Sequence, residues 1–161
     1  MKKYLFLVIA ALTILYFLSS MPYEKQTIVP ELKVLLDNQP FYETLSKIEV
    51  NYWGRTISVE TRGYYYFIEF LIRKTLHFTG YGIVAVLLYM FFRKMQWPFA
   101  AIFACVFVFF IAMLDEYNQT LVEGRTGIFE DVLLDTAGAV TFILCIKGYH
   151  LIRWLLLRKR A

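Results

Sequence analysis

"FIEFLIRKTLHFTGYGIVAVLLYMFF", Phe67 to Phe92, joins two stretches of different character. From Phe78 to Phe92 it has no charged side chain, whereas Phe67 to His77 carries Glu69, Arg73, Lys74 and His77. A helix needs about 20 mostly apolar residues to cross a bilayer, so the stretch reads as a membrane span with one polar end. A charge at the bilayer centre costs about 2.5–3.5 kcal/mol on the milder scales and less near the surface. Such groups face the protein interior and pair, and the polar end is therefore where partners are to be sought.

Outward from this stretch lie three more apolar runs: "YLFLVIAALTILYFL" (Tyr4–Leu18), "FAAIFACVFVFFIAML" (Phe99–Leu114) and "VLLDTAGAVTFILCIKGYHLI" (Val132–Ile152). The fold class expected is an all-α integral membrane protein: a four-transmembrane-helix bundle forming one membrane domain over residues 1–161. Its spans are placed at 4–20, 67–92, 98–116 and 131–152. The first run resembles a signal peptide, but "LSSMP" is a poor cleavage site, so it is read as an uncleaved helix. Composition agrees. Hydrophobic residues make up 59% of the chain, against about 45–50% in soluble domains, and the mean hydropathy is +0.53. The net charge of +4 fits Lys and Arg flanking spans rather than a nucleic-acid partner. Cys105 and Cys145 lie inside apolar runs and are read as buried small hydrophobes, not as a disulfide or a metal pair.

Four spans place both termini on one side. Lys2 and Lys3, then Arg93 and Lys94, then Arg153, Arg158, Lys159 and Arg160 all fall on that side, which the positive-inside rule makes cytoplasmic. Met21–Tyr66 is then an extracellular insertion between the first two spans. Within it, "ELKVLLDNQPFYETLSKI" has helical periodicity broken at Pro40, and "IEVNYWGRTISVET" reads as a β-hairpin turning at Gly54.

This topology gathers the polar groups at one depth. On the second span Lys74, His77 and Tyr81 share a helical face. Asp115, Glu116 and Gln119 end the third span. Asp131, Asp135 and Gly138 share a face at the start of the fourth, and Arg125 lies in the connecting loop. The expectation is an outward pocket whose ligand-binding residues are Lys74, His77, Tyr81, Asp115, Glu116 and Gln119, together with Arg125, Asp131 and Asp135. Arg125 is expected to pair with Asp131 or Asp115. His77, Asp115 and Glu116 are the candidates for catalysis. No spacing matches a metal motif, and no cofactor is expected. Glu123 and Glu130 read as solvent-facing and His150 as interfacial.

Two segments, "IRKTLHFTGYGIVAVLLY" and "AMLDEYNQTLVEGRTGIFEDVLLDTAGA", resemble the signature regions of the VanZ-like family, approximately R-K-x-x-H-F-x-E-Y and D-E-x-H-Q-x-F-x-P-G-R followed by D-V-x-x-D/N-x-x-G. The resemblance covers the last three spans and brings in Arg73 and Gly124 beside the residues above. Gly80 stands where the family usually has Glu, Asn118 where it has His, Leu121 where it often has Phe, and Glu123 where it often has Pro. The family takes its name from a teicoplanin-resistance protein of Gram-positive bacteria. The resemblance thus implies a multi-pass cell-membrane protein of the envelope, with membrane lipids, a cell-wall precursor or a lipoglycopeptide as partners. The leading reading is binding of a lipid-linked or cell-wall-related ligand. The alternative is an intramembrane enzyme using carboxylate and His acid–base chemistry or metal-assisted hydrolysis of an envelope lipid. A transporter is disfavoured, because the inner halves of the spans lack ionisable residues until Lys147.

Overall fold

The computed structural model describes residues 2–158; Lys159 and Arg160 of the last basic cluster lie outside these. In chain order the elements are α1 (Lys2–Ser19), α2 (Tyr23–Gln26), α3 (Val29–Leu35), α4 (Tyr42–Leu45), β1 (Val50–Tyr52), β2 (Arg55–Ile57), α5 (Val59–Arg62), α6 (Tyr64–Lys94), α7 (Ala100–Thr120) and α8 (Phe129–Arg158). Among the described residues, α1, α6 and α7 are long and apolar enough to cross a membrane. At 1.5 Å per residue, α6 is about 46 Å long, well beyond the ~30 Å of a hydrocarbon core. α8 is nearly as long, with 30 residues.

Side-chain contacts give the helix directions. Lys74 meets Asp131 and His77 meets Asp135, so α6 and α8 run parallel. Leu15 packs on Gly80, while Tyr4 lies beside Tyr89, Arg93 and His150 at the other end, so α1 runs against α6. The chain turns between α7 and α8 over a short loop, which sets α7 antiparallel to both of its neighbours.

Small residues let these helices approach closely. Ala85, Ala104, Ala112 and Ala139 are fully buried between them. A Cβ on Gly138 would overlap the Phe78 carbonyl, and one on Gly82 would strike the Phe142 ring, so glycine is required where α6 and α8 cross. This is the close-approach device of helices that associate in lipid. Phe6, Phe17, Phe110 and Leu144 point away from the bundle. So does Cys145, and Cys105 is only half-buried. The expectation of two buried cysteines is corrected: an apolar run in a membrane-type helix has an outward face as apolar as its inward one.

The insertion forms the expected hairpin. β1 and β2 pair antiparallel with Val50 opposite Ile57 and Tyr52 opposite Arg55. Trp53 and Gly54 both have positive φ (52° and 65°), as a two-residue type I′ turn requires. Helical structure does break around Pro40, between α3 and α4. A capping box between Ser58 and Thr61 starts α5. Ile57, Val59, Tyr64 and Phe67 then form a second small core that seats the hairpin on the start of α6. The bundle thus has a hairpin end and an opposite, basic end, where Arg93, Lys94, His150 and Arg153 are exposed.

Candidate functional site

The hairpin end holds the charges. On α6, Lys74, His77 and Tyr81 occupy successive turns of one face, as their spacing predicts. The Lys74 ammonium pairs with Asp131 Oδ1, and the Tyr52 hydroxyl of the hairpin donates to the same oxygen. The ammonium also lies over the rings of Tyr52 and Phe70, 4.6 and 5.5 Å from their centroids; cation–π attraction of this kind strengthens as water is excluded. Burial, and then the hydrogen bond to Asp131, push the Tyr52 hydroxyl above the ordinary phenol range, so it remains a donor. One turn on, His77 Nδ1 is 3.5 Å from Asp135 Oδ2. Asp135 is 0% exposed, and among the described residues its other oxygen has no partner. The Tyr81 hydroxyl, buried beside the His77 ring, faces Asp115.

α7 brings in the next group. The Gln119 amide donates to Asp115 (3.0 Å) and Glu116 (3.1 Å). The second oxygen of Glu116 accepts the Ile128 backbone N–H at 2.7 Å, which ties the loop to α7. Gly127 permits this, since a Cβ there would overlap the Glu116 carbonyl. Glu116 therefore helps to shape the loop as well as facing the cluster.

Arg125 departs from expectation. Among the described residues no carboxylate lies within ion-pair distance of it. Its guanidinium donates to the carbonyls of Ser19 (3.0 Å) and Leu18 (3.4 Å) and to Gln26 Oε1 (3.3 Å). The last carbonyls of a helix lack intrahelical partners, and a cation at that end also meets the negative end of the helix dipole. The end of α1 offers these acceptors where the loop passes, so Arg125 is a staple between the loop and α1. Asn118 acts alongside it, donating to Ser20 Oγ at 2.9 Å. A Cβ on Gly80 would lie in ordinary contact with Leu15, 3.6 Å away, so the family's usual Glu would point at α1 there. Glu123 is exposed, Glu130 is half-buried and His150 is exposed at the far end.

Several residues of this network come from outside the anticipated set. Glu69, 2% exposed, accepts from the Tyr23 hydroxyl (2.7 Å), the Ile28 N–H (2.9 Å) and Arg73 (3.2 Å). The Glu69–Arg73 pair has i,i+4 spacing and was legible in the sequence; Tyr23 and Gln26, which also contacts Arg73, carried no such signal. Burial, then Glu69, raise the Tyr23 hydroxyl above its ordinary range.

Two cavities flank this network. One, of about 200 Å³, lies under the hairpin. Its walls include Arg55, Arg62, Arg73, Lys74 and Arg125, opposed by only Glu69 and Asp131. The other, of about 330 Å³, runs beside α1 between Leu15, Leu18, Ile72 and Leu76, with Arg73, His77 and Arg125 also in its wall. Those last three side chains belong to both. Deeper in, His77, Asp115 and Glu116 each offer a ligand atom, all within 4.8 Å of one another. The chain thus presents a cationic chamber, an apolar groove and a carboxylate–imidazole cluster that meet at His77.

A protein-family model described as VanZ/LLP1 matches residues 4–154, almost the whole of the described chain. No curated protein and no solved structure matches it.

Proposed function

The chain belongs to the VanZ/LLP1 family, and from that premise we propose that it is a four-span protein of the cell membrane that binds an anionic amphiphile of the Gram-positive envelope. α8 serves as the fourth span. Its 30 residues reach about 45 Å, and it lies parallel to α6. Both termini are cytoplasmic, in keeping with the exposed basic residues grouped at one end. The hairpin end then faces outward, and residues 1–161 act as one domain.

The observation that carries this reading is the lining of the first cavity: five cationic side chains against two carboxylates. A phosphate or carboxylate headgroup supplies the missing negative charge, and guanidinium forks suit such groups. The adjoining apolar groove supports a hydrocarbon tail on the same molecule. A lipid-linked cell-wall precursor has both parts, as does a lipoglycopeptide, and binding such a molecule would contribute to teicoplanin-type resistance. The test uses delipidated protein in detergent and native mass spectrometry. Phosphatidylglycerol should be retained over phosphatidylcholine of the same chain length, and Arg62→Ala should weaken that retention roughly tenfold, the scale of one charge-assisted hydrogen bond. Equal retention of the two lipids would sink the proposal.

An enzyme is the second reading, and the His77–Asp135 contact favours it. An imidazole held by a buried carboxylate, with Asp115 and Glu116 beside it, has the parts of a general base and its orienter. Release of phosphate or fatty acid from an envelope lipid, lost in His77→Gln, would select it.

A further inference from the structure

We infer that His77, Asp115 and Glu116 form a binding site for one divalent transition-metal ion, held at the inner edge of the two cavities with Asp135 behind it. The donor set is compact: one imidazole nitrogen and two carboxylate oxygens lie within 4.8 Å of one another. Ligands about 2.0–2.2 Å from a common ion sit roughly 3–4 Å apart, a distance that small side-chain rotations reach.

Charge is the second argument. Asp115, Glu116 and Asp135 surround one imidazole. The nearby cations are engaged elsewhere: Lys74 on Asp131, Arg73 on Glu69 and Arg125 on the α1 carbonyls. Only neutral donors, the Gln119 amide and the Ile128 N–H, reach Asp115 and Glu116. Glu116 and Asp135 are buried and Asp115 is half-buried; buried carboxylates are normally paired with cations or coordinate metals, and here a divalent ion supplies the missing charge.

The third argument is independent of the donors. Among the described residues Asp135 Oδ1 has no hydrogen-bond partner, although Asp135 is 0% exposed; the Tyr81 hydroxyl, 1% exposed, has only Asp115 of the cluster before it. Unpartnered polar atoms in such a place are costly. Both adjoin the cluster: the Tyr81 hydroxyl faces Asp115, and Asp135 touches His77 from behind. Asp135 on Nδ1 leaves Nε2 as the metal-binding nitrogen. A carboxylate behind a ligating histidine is the usual outer-shell arrangement, which fixes the ring and its tautomer.

The donors also choose among ions. Ca²⁺ and Mg²⁺ prefer all-oxygen sets, whereas an imidazole with two carboxylates suits Zn²⁺ or Mn²⁺. Three protein ligands leave a coordination position open, as catalytic rather than structural sites do. His77 lines both cavities, so that position is available to an oxygen of a bound headgroup. This last point rests on the anionic-amphiphile reading; the metal site itself does not.

Full-length protein in detergent, stripped with chelator and free of added lipid, is to be titrated calorimetrically with Zn²⁺ and Mn²⁺. The expected result is one ion per chain. Affinity should fall at least 100-fold in Asp115→Asn and in Glu116→Gln, and 10- to 100-fold in Asp135→Asn, as loss of an outer-shell partner does. Circular dichroism and size exclusion establish that each variant is folded. Should the carboxamide variants misfold, Co²⁺ on the wild-type chain reports the ligands directly, through a visible absorption of nitrogen–oxygen type that Zn²⁺ displaces. No ion on the wild-type chain, or equal binding by folded Asp115→Asn (an adventitious ion only), overturns the inference. Metal binding that persists while phosphatidylglycerol and phosphatidylcholine are retained alike would reject the amphiphile and keep the site.

Discussion

The two ends of the helix bundle carry charges of the same kinds under opposite conditions. At the hairpin end Glu69, Glu116, Asp131 and Asp135 are each at most 5% exposed and are held by named contacts to α6, α7, the loop or the insertion. At the basic end Lys2, Lys3, Arg93, Lys94 and Arg153 are exposed; among the described residues Arg93 is anchored only by lying over the Tyr89 ring at 5.7 Å. The difference shows that a charge near a helix end has two separate uses. Buried and paired, it determines tertiary structure and a site. Exposed, it sets the helix in its surroundings and adds little to stability.

Mutations at the two ends should therefore differ sharply. The largest effect is expected from Asp131→Ala, which strands the Lys74 ammonium and the Tyr52 hydroxyl. Breaking such a pair costs about 3 kcal/mol, held below the fully buried figure because Lys74 retains some water access. Lys94→Ala at the basic end should stay within about 0.5 kcal/mol of wild type. Thermal melting in detergent compares the two, and equal melting temperatures would erase the distinction between the ends.

Glycine gives the next contrast. Gly138→Ala pushes a Cβ into the Phe78 carbonyl and should cost about 2 kcal/mol by overpacking. Gly148→Ala meets nothing within 4 Å and should be neutral or slightly stabilising, since alanine is the better helix residue. Loss of stability in both would mean that α8 is sensitive along its whole length rather than at its crossing with α6.

Arg125→Ala removes the staple to α1 and should cost about 1.5 kcal/mol. Arg125→Lys, with a charge but no fork, should recover part of it. A double change with Asp115→Asn tests the pairing that the sequence suggested: additive effects fit the carbonyl contacts, and strong coupling would restore an Arg125–Asp115 interaction.

Among the changes at the hairpin end, Tyr52→Phe should have the smallest effect on stability, about 1 kcal/mol, because the ring stays over Lys74. Its pH dependence carries the information. The hydroxyl is raised above its unfolded value, so its contribution is fully present below about pH 10 and is lost as pH rises through the folded value. The gap between wild type and Tyr52→Phe should be flat from pH 7 to 9 and close only in stronger alkali. The orientation of the whole comparison is checked by cysteine labelling in intact cells, in a background lacking Cys105 and Cys145. Cysteine at Asn38 should react with an impermeant reagent and cysteine at Gln96 should not.

How much of this was legible depended on the range of the interaction. Hydropathy located α1, α6 and α7, and the alternation around Trp53-Gly54 located the hairpin, because each is a property of neighbouring residues. Helical spacing put Lys74, His77 and Tyr81 on one face, and Asp131 and Asp135 on another, for the same reason. The polar ends were harder to delimit: α7 runs on to Thr120 rather than stopping at residue 116, since a helix continues past the apolar stretch when its carboxylates find partners. The loop was harder still. Arg125 has six acidic residues within ten positions of it, yet its main contacts are carbonyls about a hundred residues away at the end of α1.

The sequence by itself determined that this chain is helical, apolar and polar at one depth, and which side chains each helix presents there, because periodicity and hydropathy are local. Only the tertiary structure decided the partners. Tyr52 on Asp131, Tyr23 on Glu69, Arg55 and Arg62 over the cavity, and Arg125 on α1 all depend on the insertion folding back over the helix ends. Nothing in a local pattern encodes that return: it depends on the small core around Ile57 and Phe67 and on the buried polar atoms of the bundle that the insertion meets there.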